Sequence, residues 1–228
     1  MTLTAEQRRE RLVDLYKEVS TCTKCPLHET RTKAVFGAGN ADAALMFVGE
    51  APGADEDRQG LPFVGRAGQL LNQLLEEIGL SREEVFIANV LKSRPPGNRD
   101  PLPLEIQACE PYLFEQVRLI EPKVVCTLGN FATKLLTGSP VGITKVRGTS
   151  QLHELGGRPV FLLPLLHPAA ALRTPAMKET LRGDFATIPA LLAGPSPDPV
   201  PSPREIAATE ERVVPTSPPP ADQLDFFG

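Results

Sequence analysis

At 228 residues, 41% of them hydrophobic, the chain is long enough to bury one substantial core and short for two. No apolar run approaches the about 20 residues that cross a bilayer, and the start, MTLTAEQRRERLVDLYKEV, reads as a charged amphipathic helix and not as a signal sequence, so a soluble, cytoplasmic monomer is expected. The net charge of -4 argues against a nucleic-acid binder only until it is divided by position: from Gly194 onward there are six acidic and two basic residues, which carry the whole imbalance and leave a neutral body free to present a basic face.

After the first helix comes Cys22-Thr-Lys-Cys25, a pair of thiols three residues apart that can serve one metal centre. Apolar runs suited to strands follow at 44–48, 85–90, 123–128 and 159–165, and helical spacing separates them at 69–78, 104–120 and 131–136. Such alternation predicts an α/β domain over residues 1–193 with a central, mostly parallel four-stranded sheet covered by helices on both faces. Ligands of such sheets bind where strands end and loops begin, which directs attention to the loops after the first, second and fourth runs.

The first of these loops is dense in turn residues. Between Gly49 and Leu71 stand five glycines, two prolines and four carboxylates. Gly49 and Gly53 bracket Glu50-Ala51-Pro52 at a strand's carboxyl end, exposing backbone N–H groups and a carboxylate; an ordinary tight turn is the plainer account. Phe63, inside Leu61-Pro62-Phe63-Val64-Gly65, is either a core ring or a stacking platform. The second run ends at Asn89, whose amide can donate and accept at once and so suits a base edge, although Asn also caps turns. Lys92, Arg94 and Arg99 follow among prolines, a segment suited to phosphate contacts. The fourth run contains Pro164, where a ladder N–H is usually wanted, and leads to His167-Pro168-Ala169-Ala170-Ala171-Leu172-Arg173. There a strand-end imidazole precedes Leu172 and Arg173, an apolar wedge with a cation behind it.

Four cysteines occur, Cys22, Cys25, Cys109 and Cys126. In a chain expected to meet a reducing compartment they suit a metal or plain core packing better than disulfides. Zinc and iron-sulfur chemistry remain equally open on the residues alone, and Cys126, inside a buried run, has the setting of a small apolar side chain.

Taken in order, Gly49-Glu50-Ala51-Pro52-Gly53, Leu61 to Gly68, Asn89, Pro95-Pro96-Gly97-Asn98-Arg99 and His167 to Arg173, together with the cysteines, resemble a family-4 (thermostable-type) uracil-DNA glycosylase over roughly residues 5–192. The resemblance implies an enzyme that flips uracil out of DNA, hydrolyses the N-glycosidic bond and leaves an abasic site for base excision repair. It implies catalytic roles for Glu50, His167 and Asn89. Base contacts would come from Ala51, Glu56 beside the pyrimidine 5-carbon, Phe63 and Asn89, and the wedge from Leu172 and Arg173. It also implies a structural [4Fe-4S] cluster on Cys22, Cys25, Cys109 and Cys126. A related cross-linking branch carries a histidine in an insertion after the Asn strand; this chain has Pro95-Pro96-Gly97-Asn98-Arg99 there, so ordinary turnover is expected.

Residues 194–228 hold nine of the 24 prolines and few apolar side chains, a composition expected to be disordered. The last of them, Gln223, Leu224, Asp225, Phe226 and Phe227, resemble the short peptides that dock on a bacterial sliding clamp, which would make Gln223, Leu224, Phe226 and Phe227 a clamp-binding end on a tether.

Overall fold

The computed structural model describes residues 3–197. In chain order the elements are α1 (Ala5–Ser20), α2 (Leu27–Thr30), β1 (Ala38–Gly39), β2 (Leu45–Gly49), α3 (Ala54–Gln59), α4 (Arg66–Glu77), β3 (Phe86–Asn89), α5 (Pro103–Ile120), β4 (Val124–Leu128), α6 (Asn130–Thr137), α7 (Ile143–Val146), β5 (Gln151–Leu155), β6 (Arg158–Leu165), α8 (Pro168–Ala171), α9 (Pro175–Phe185) and α10 (Ile188–Ala193), with a single 3-10 turn at Pro96–Asn98. A capping box between Thr4 and Gln7 starts α1, and Pro103 at the first turn starts α5. No described helix is long and apolar enough to cross a membrane.

The sheet has the order β1-β3-β2-β4-β6-β5. Its four central strands are parallel and are the four apolar runs of the sequence. Two antiparallel edges, β1 on β3 and β5 on β6, complete a six-stranded mixed sheet. The alternating runs did not disclose them, because β1 is two residues long and β5, Gln151–Leu155, is mostly exposed.

β2 and β4 are buried at every position, as parallel strands covered on both faces must be. Alternate residues go to opposite faces. Met46, Val48, Val125 and Leu162 meet α1, α5 and α6 through Leu12, Leu15, Val19, Leu113, Val117 and Ala132. Phe47, Ile87, Cys126 and Leu163 meet α4, α9 and α10 through Leu71, Leu74, Leu181, Phe185 and Ile188.

Pro164 finds a place where its missing N–H is not needed. β5 pairs with β6 only as far as Gln151 opposite Leu162, so Pro164 lies beyond the end of that neighbour. Its carbonyl on that side accepts instead from the Gly148 N–H at 2.9 Å, and the strand is locally an edge.

Candidate active site

β3 and β4 flank β2, so the chain reverses its winding direction at β2 and opens a crevice at the carboxyl ends of the strands. A cavity of about 610 Å³ fills that crevice, with Glu50, Ala51, Glu56, Phe63, Asn89 and His167 in its wall and Arg173 at its rim. The residues singled out at three separate strand ends thus share one chamber.

In its wall β2, β3 and the loop before α4 come into close contact. A Cβ on Gly49 would overlap Asn89 Oδ1 and come within 2.8 Å of the Phe63 ring, so glycine alone lets the three approach. Phe63 holds the left-handed backbone, φ 51°, which a bulky residue adopts only when its surroundings impose it. Glu56 supplies part of that constraint: its Oε1 accepts the N–H groups of Val64 at 3.0 Å and Gly65 at 3.2 Å. Arg82 supplies more, donating to the carbonyls of Phe63, at 3.0 Å, and Pro62. Gly68 removes the last obstacle, since a Cβ there would occupy the Phe63 carbonyl. The fixed ring lies 5.6 Å from the His167 ring, tilted by 31°.

Asn89 is buried, and its Oδ1 has no hydrogen-bond partner. Leaving a buried acceptor unsatisfied costs about 1–3 kcal/mol, a cost that a ligand donor would remove. The Asn89 backbone is anchored from behind, where its carbonyl accepts from Lys92 Nζ at 2.8 Å. That ammonium also donates to Gln116 Oε1 at 2.6 Å and to the Phe36 carbonyl at 3.3 Å, three acceptors for its three protons. Burial pulls the Lys92 amine down to about 7, with Cys109 opposing. Lys92 therefore faces the core and is no phosphate contact, correcting the reading of the basic loop. Arg99 is also committed, in a bidentate pair with buried Glu105 at 2.6 and 2.9 Å.

His167 caps α8, and its Nδ1 accepts from the Ala169 N–H at 3.1 Å. An accepting Nδ1 places the proton of the neutral ring on Nε2. Burial, opposed by Glu56, pushes the imidazole down to about 4, so the ring is a neutral donor at physiological pH. The Glu50 carboxyl is raised above its ordinary value, first by burial and then by Asp100. Glu50 and His167 also line a second cavity of about 670 Å³, shared with Asp100, Asn130 and Lys134, so the two residues divide the compartments. Beyond α8, Leu172 is 39% exposed, beside Arg173.

The cysteines separate. Cys25 and Cys109 belong to the α1–α5 face, with Cys22 packed on the same cluster, and the Cys109 thiol, raised by burial, also feels Cys25 and Cys22. Cys126 lies across the sheet: its strand partners are Phe47 and Leu163, and all three point to the α4–α9 face, where burial alone raises the thiol. A four-cysteine ligand set does not fit this arrangement; three thiols share a neighbourhood and the fourth is core packing, the plainer of its two sequence readings. No group of three or more His, Cys, Asp or Glu among the described residues is gathered tightly enough for one metal ion. Ligands of an iron-sulfur cluster stand farther apart, because the cluster itself separates them.

The sequence did not reveal Arg82 or the Lys92–Gln116 pair, neither of which belongs to a local pattern. Gln223, Leu224, Phe226 and Phe227, with the tail that carries them, lie outside the described residues.

The sequence profile of a family described as the uracil DNA glycosylase superfamily matches residues 36–186. Several curated relatives carry the name type-4 uracil-DNA glycosylase, three of them as follows. The Sulfurisphaera tokodaii protein is 48% identical, covering 81% of this chain and 86% of its own. The Archaeoglobus fulgidus protein is 45% identical over 78% and 92%, and the Thermotoga maritima protein 49% identical over 72% and 85%.

Proposed function

The chain belongs to the uracil-DNA glycosylase superfamily, among its type-4 members, and from that premise we propose how its own residues carry out uracil excision. The reaction hydrolyses the N-glycosidic bond of a uracil nucleotide in DNA, releasing the base and leaving an abasic site. Breaking that bond makes the sugar cation-like and the departing base an anion, so the largest gain comes from donors already aimed at the base.

His167 is the first donor. Its Nε2–H, held on that nitrogen by the Ala169 N–H, donates to uracil O2 as negative charge develops there, joined by backbone N–H groups of the Glu50–Ala51 turn. A neutral imidazole suits this task, because its proton strengthens the hydrogen bond without leaving the ring. Asn89 reads the edge that distinguishes uracil from cytosine: Oδ1 accepts from N3–H and the amide nitrogen donates to O4. Cytosine presents an acceptor and a donor in those places and would oppose both. Phe63 stacks on the ring. Glu56 holds the Phe63 loop and lies toward the pyrimidine 5-carbon, where thymine carries its methyl. Glu50, between the two cavities, places the attacking water and counters the sugar's positive charge. Leu172 enters the duplex where the base has left, with Arg173 behind it.

The observation that carries this assignment is the unpaired, buried Asn89 Oδ1 in the same chamber as a neutral His167 and a fixed Phe63. Its test is release of free base from matched oligonucleotides carrying uracil, cytosine or thymine at one position. Uracil alone should be released. Equal release of cytosine would remove the role given to Asn89.

The Cys22, Cys25 and Cys109 side is proposed to hold an iron-sulfur cluster, which would brace the loop carrying Lys92 and take no part in bond cleavage. The terminal peptide is proposed to bind a sliding clamp; removal of residues 223–228 should abolish clamp capture and leave excision of naked DNA intact.

A further inference from the structure

The displaced Cys126 raises the question of which side chain completes the set of ligands. Three segments meet at the other cysteines: the turn after α1 with Cys22 and Cys25, α5 with Cys109, and the loop that leaves β3. That loop runs directly onto Cys109, whose Sγ accepts the Lys92 N–H at 3.5 Å. The next residue, Ser93, is only 3% exposed. Its hydroxyl oxygen lies 3.2 Å from Arg31 Nη1, and the same guanidinium donates to the Ser20 carbonyl at 3.1 Å, tying the loop to the end of α1. Arg31 also closes α2, its N–H donating to the Leu27 carbonyl at 3.2 Å, two residues past Cys25. Ser93 therefore sits where the three segments converge, with Lys92 on Cys109 on one side and Arg31, near Cys25, on the other.

We propose that this chain's metal site is built from three thiolates, those of Cys22, Cys25 and Cys109, with the Ser93 hydroxyl oxygen as the fourth ligand and Cys126 taking no part. This rests on the cluster reading above. The chemistry is consistent: thiolates hold iron-sulfur iron, and a harder oxygen donor can occupy one corner at the cost of weaker retention there. Cys126 cannot substitute, since the full thickness of the sheet stands between it and the other three.

The test uses the full chain, purified or reconstituted without oxygen. Iron, acid-labile sulfide and visible absorption are measured for the wild type and for single variants. Cys126→Ala and Cys126→Val should retain the wild-type iron and sulfide, whereas Cys22→Ala, Cys25→Ala and Cys109→Ala should lose most of both. With an iron chelator added, Ser93→Ala should lose iron several-fold faster than the wild type and Ser93→Cys several-fold slower. Loss of iron from both Cys126 variants while circular dichroism stays native would overturn the proposal, as would chelator kinetics that do not change at Ser93. A wild type that takes up no iron or sulfide yet releases uracil would sink the cluster reading and this proposal together, leaving the glycosylase assignment standing.

Discussion

The strand-end chamber and the cysteine neighbourhood were equally conspicuous in the sequence, yet only the first assembled as its motifs suggested. Glu50, Asn89 and His167 each lie at or just past the end of a buried parallel strand, and parallel strands deliver their end residues to one edge of a sheet. Knowing that a residue ends a strand is therefore nearly enough to place it. Ligation within a strand depends instead on which face a side chain takes, and one residue of shift reverses the face. Val125 takes the sheet face on which Cys25 and Cys109 lie, whereas Cys126 takes the other. Local pattern does not betray the choice, because β4 is apolar or buried throughout and offers no polar face to set the parity.

The contrast should extend to energetics: substitutions in the chamber should alter the rate of excision, and substitutions among the cysteines should alter stability or metal content. The largest expected effect is His167→Ala. Removing a donor aimed at developing charge should slow single-turnover uracil release by about 100- to 1000-fold, with the melting temperature nearly unchanged. Leu172→Ala acts on the flipped state and not on the charge, so it should cost less. Equal losses would mean that flipping, not bond cleavage, limits the rate, and the ranking of roles would fall.

Asn89→Ala comes next. It removes the acceptor for N3–H together with a group already unpaired in the free protein, so binding suffers more than folding. A loss of about 10- to 100-fold in uracil release is expected, together with a narrower gap between uracil and cytosine. A folded Asn89→Ala variant that still rejects cytosine as the wild type does would place the discrimination elsewhere in the chamber.

Lys92 offers the sharpest way to break the contrast, because it belongs to both regions: its N–H meets Cys109 and its ammonium holds the Asn89 carbonyl. Lys92→Met should strand two buried acceptors, the Asn89 carbonyl and Gln116 Oε1, since the Phe36 carbonyl keeps the Gln116 amide as a donor at 2.9 Å, and cost about 2–3 kcal/mol of stability, measured by urea unfolding. It should also slow excision by loosening Asn89. A variant that loses stability but keeps the wild-type single-turnover rate would show the regions to be independent. Neither role was legible beforehand: a lysine in a proline-rich loop reads as solvated, and its partners Phe36 and Gln116 are far away in the chain. Arg82 stayed hidden for the same reason, whereas Glu56 and Gly68, close to Phe63 in sequence, fell within the recognised stretch.

The smallest effect expected is a displacement of the acid limb of the pH–rate profile. Glu50 must be ionised to place water, so the rate should fall as pH drops through its raised pKa. His167, neutral down to about 4, titrates too low to set that limb. Burial is the first cause of the Glu50 shift and Asp100 the second, while Lys134 and His167 face the same compartment. Asp100→Asn removes one negative neighbour and leaves burial in place, so the limb should move to lower pH without reaching that of an exposed carboxyl. The stability effect runs the other way. A folded carboxyl that keeps its proton to higher pH than the unfolded one loses stability as pH rises through its folded pKa, so the ionised Glu50 is a strain maintained for function, and Asp100→Asn should lessen it. A limb that stays in place would assign the rate-setting proton to another group and separate Glu50 from the water it is proposed to hold.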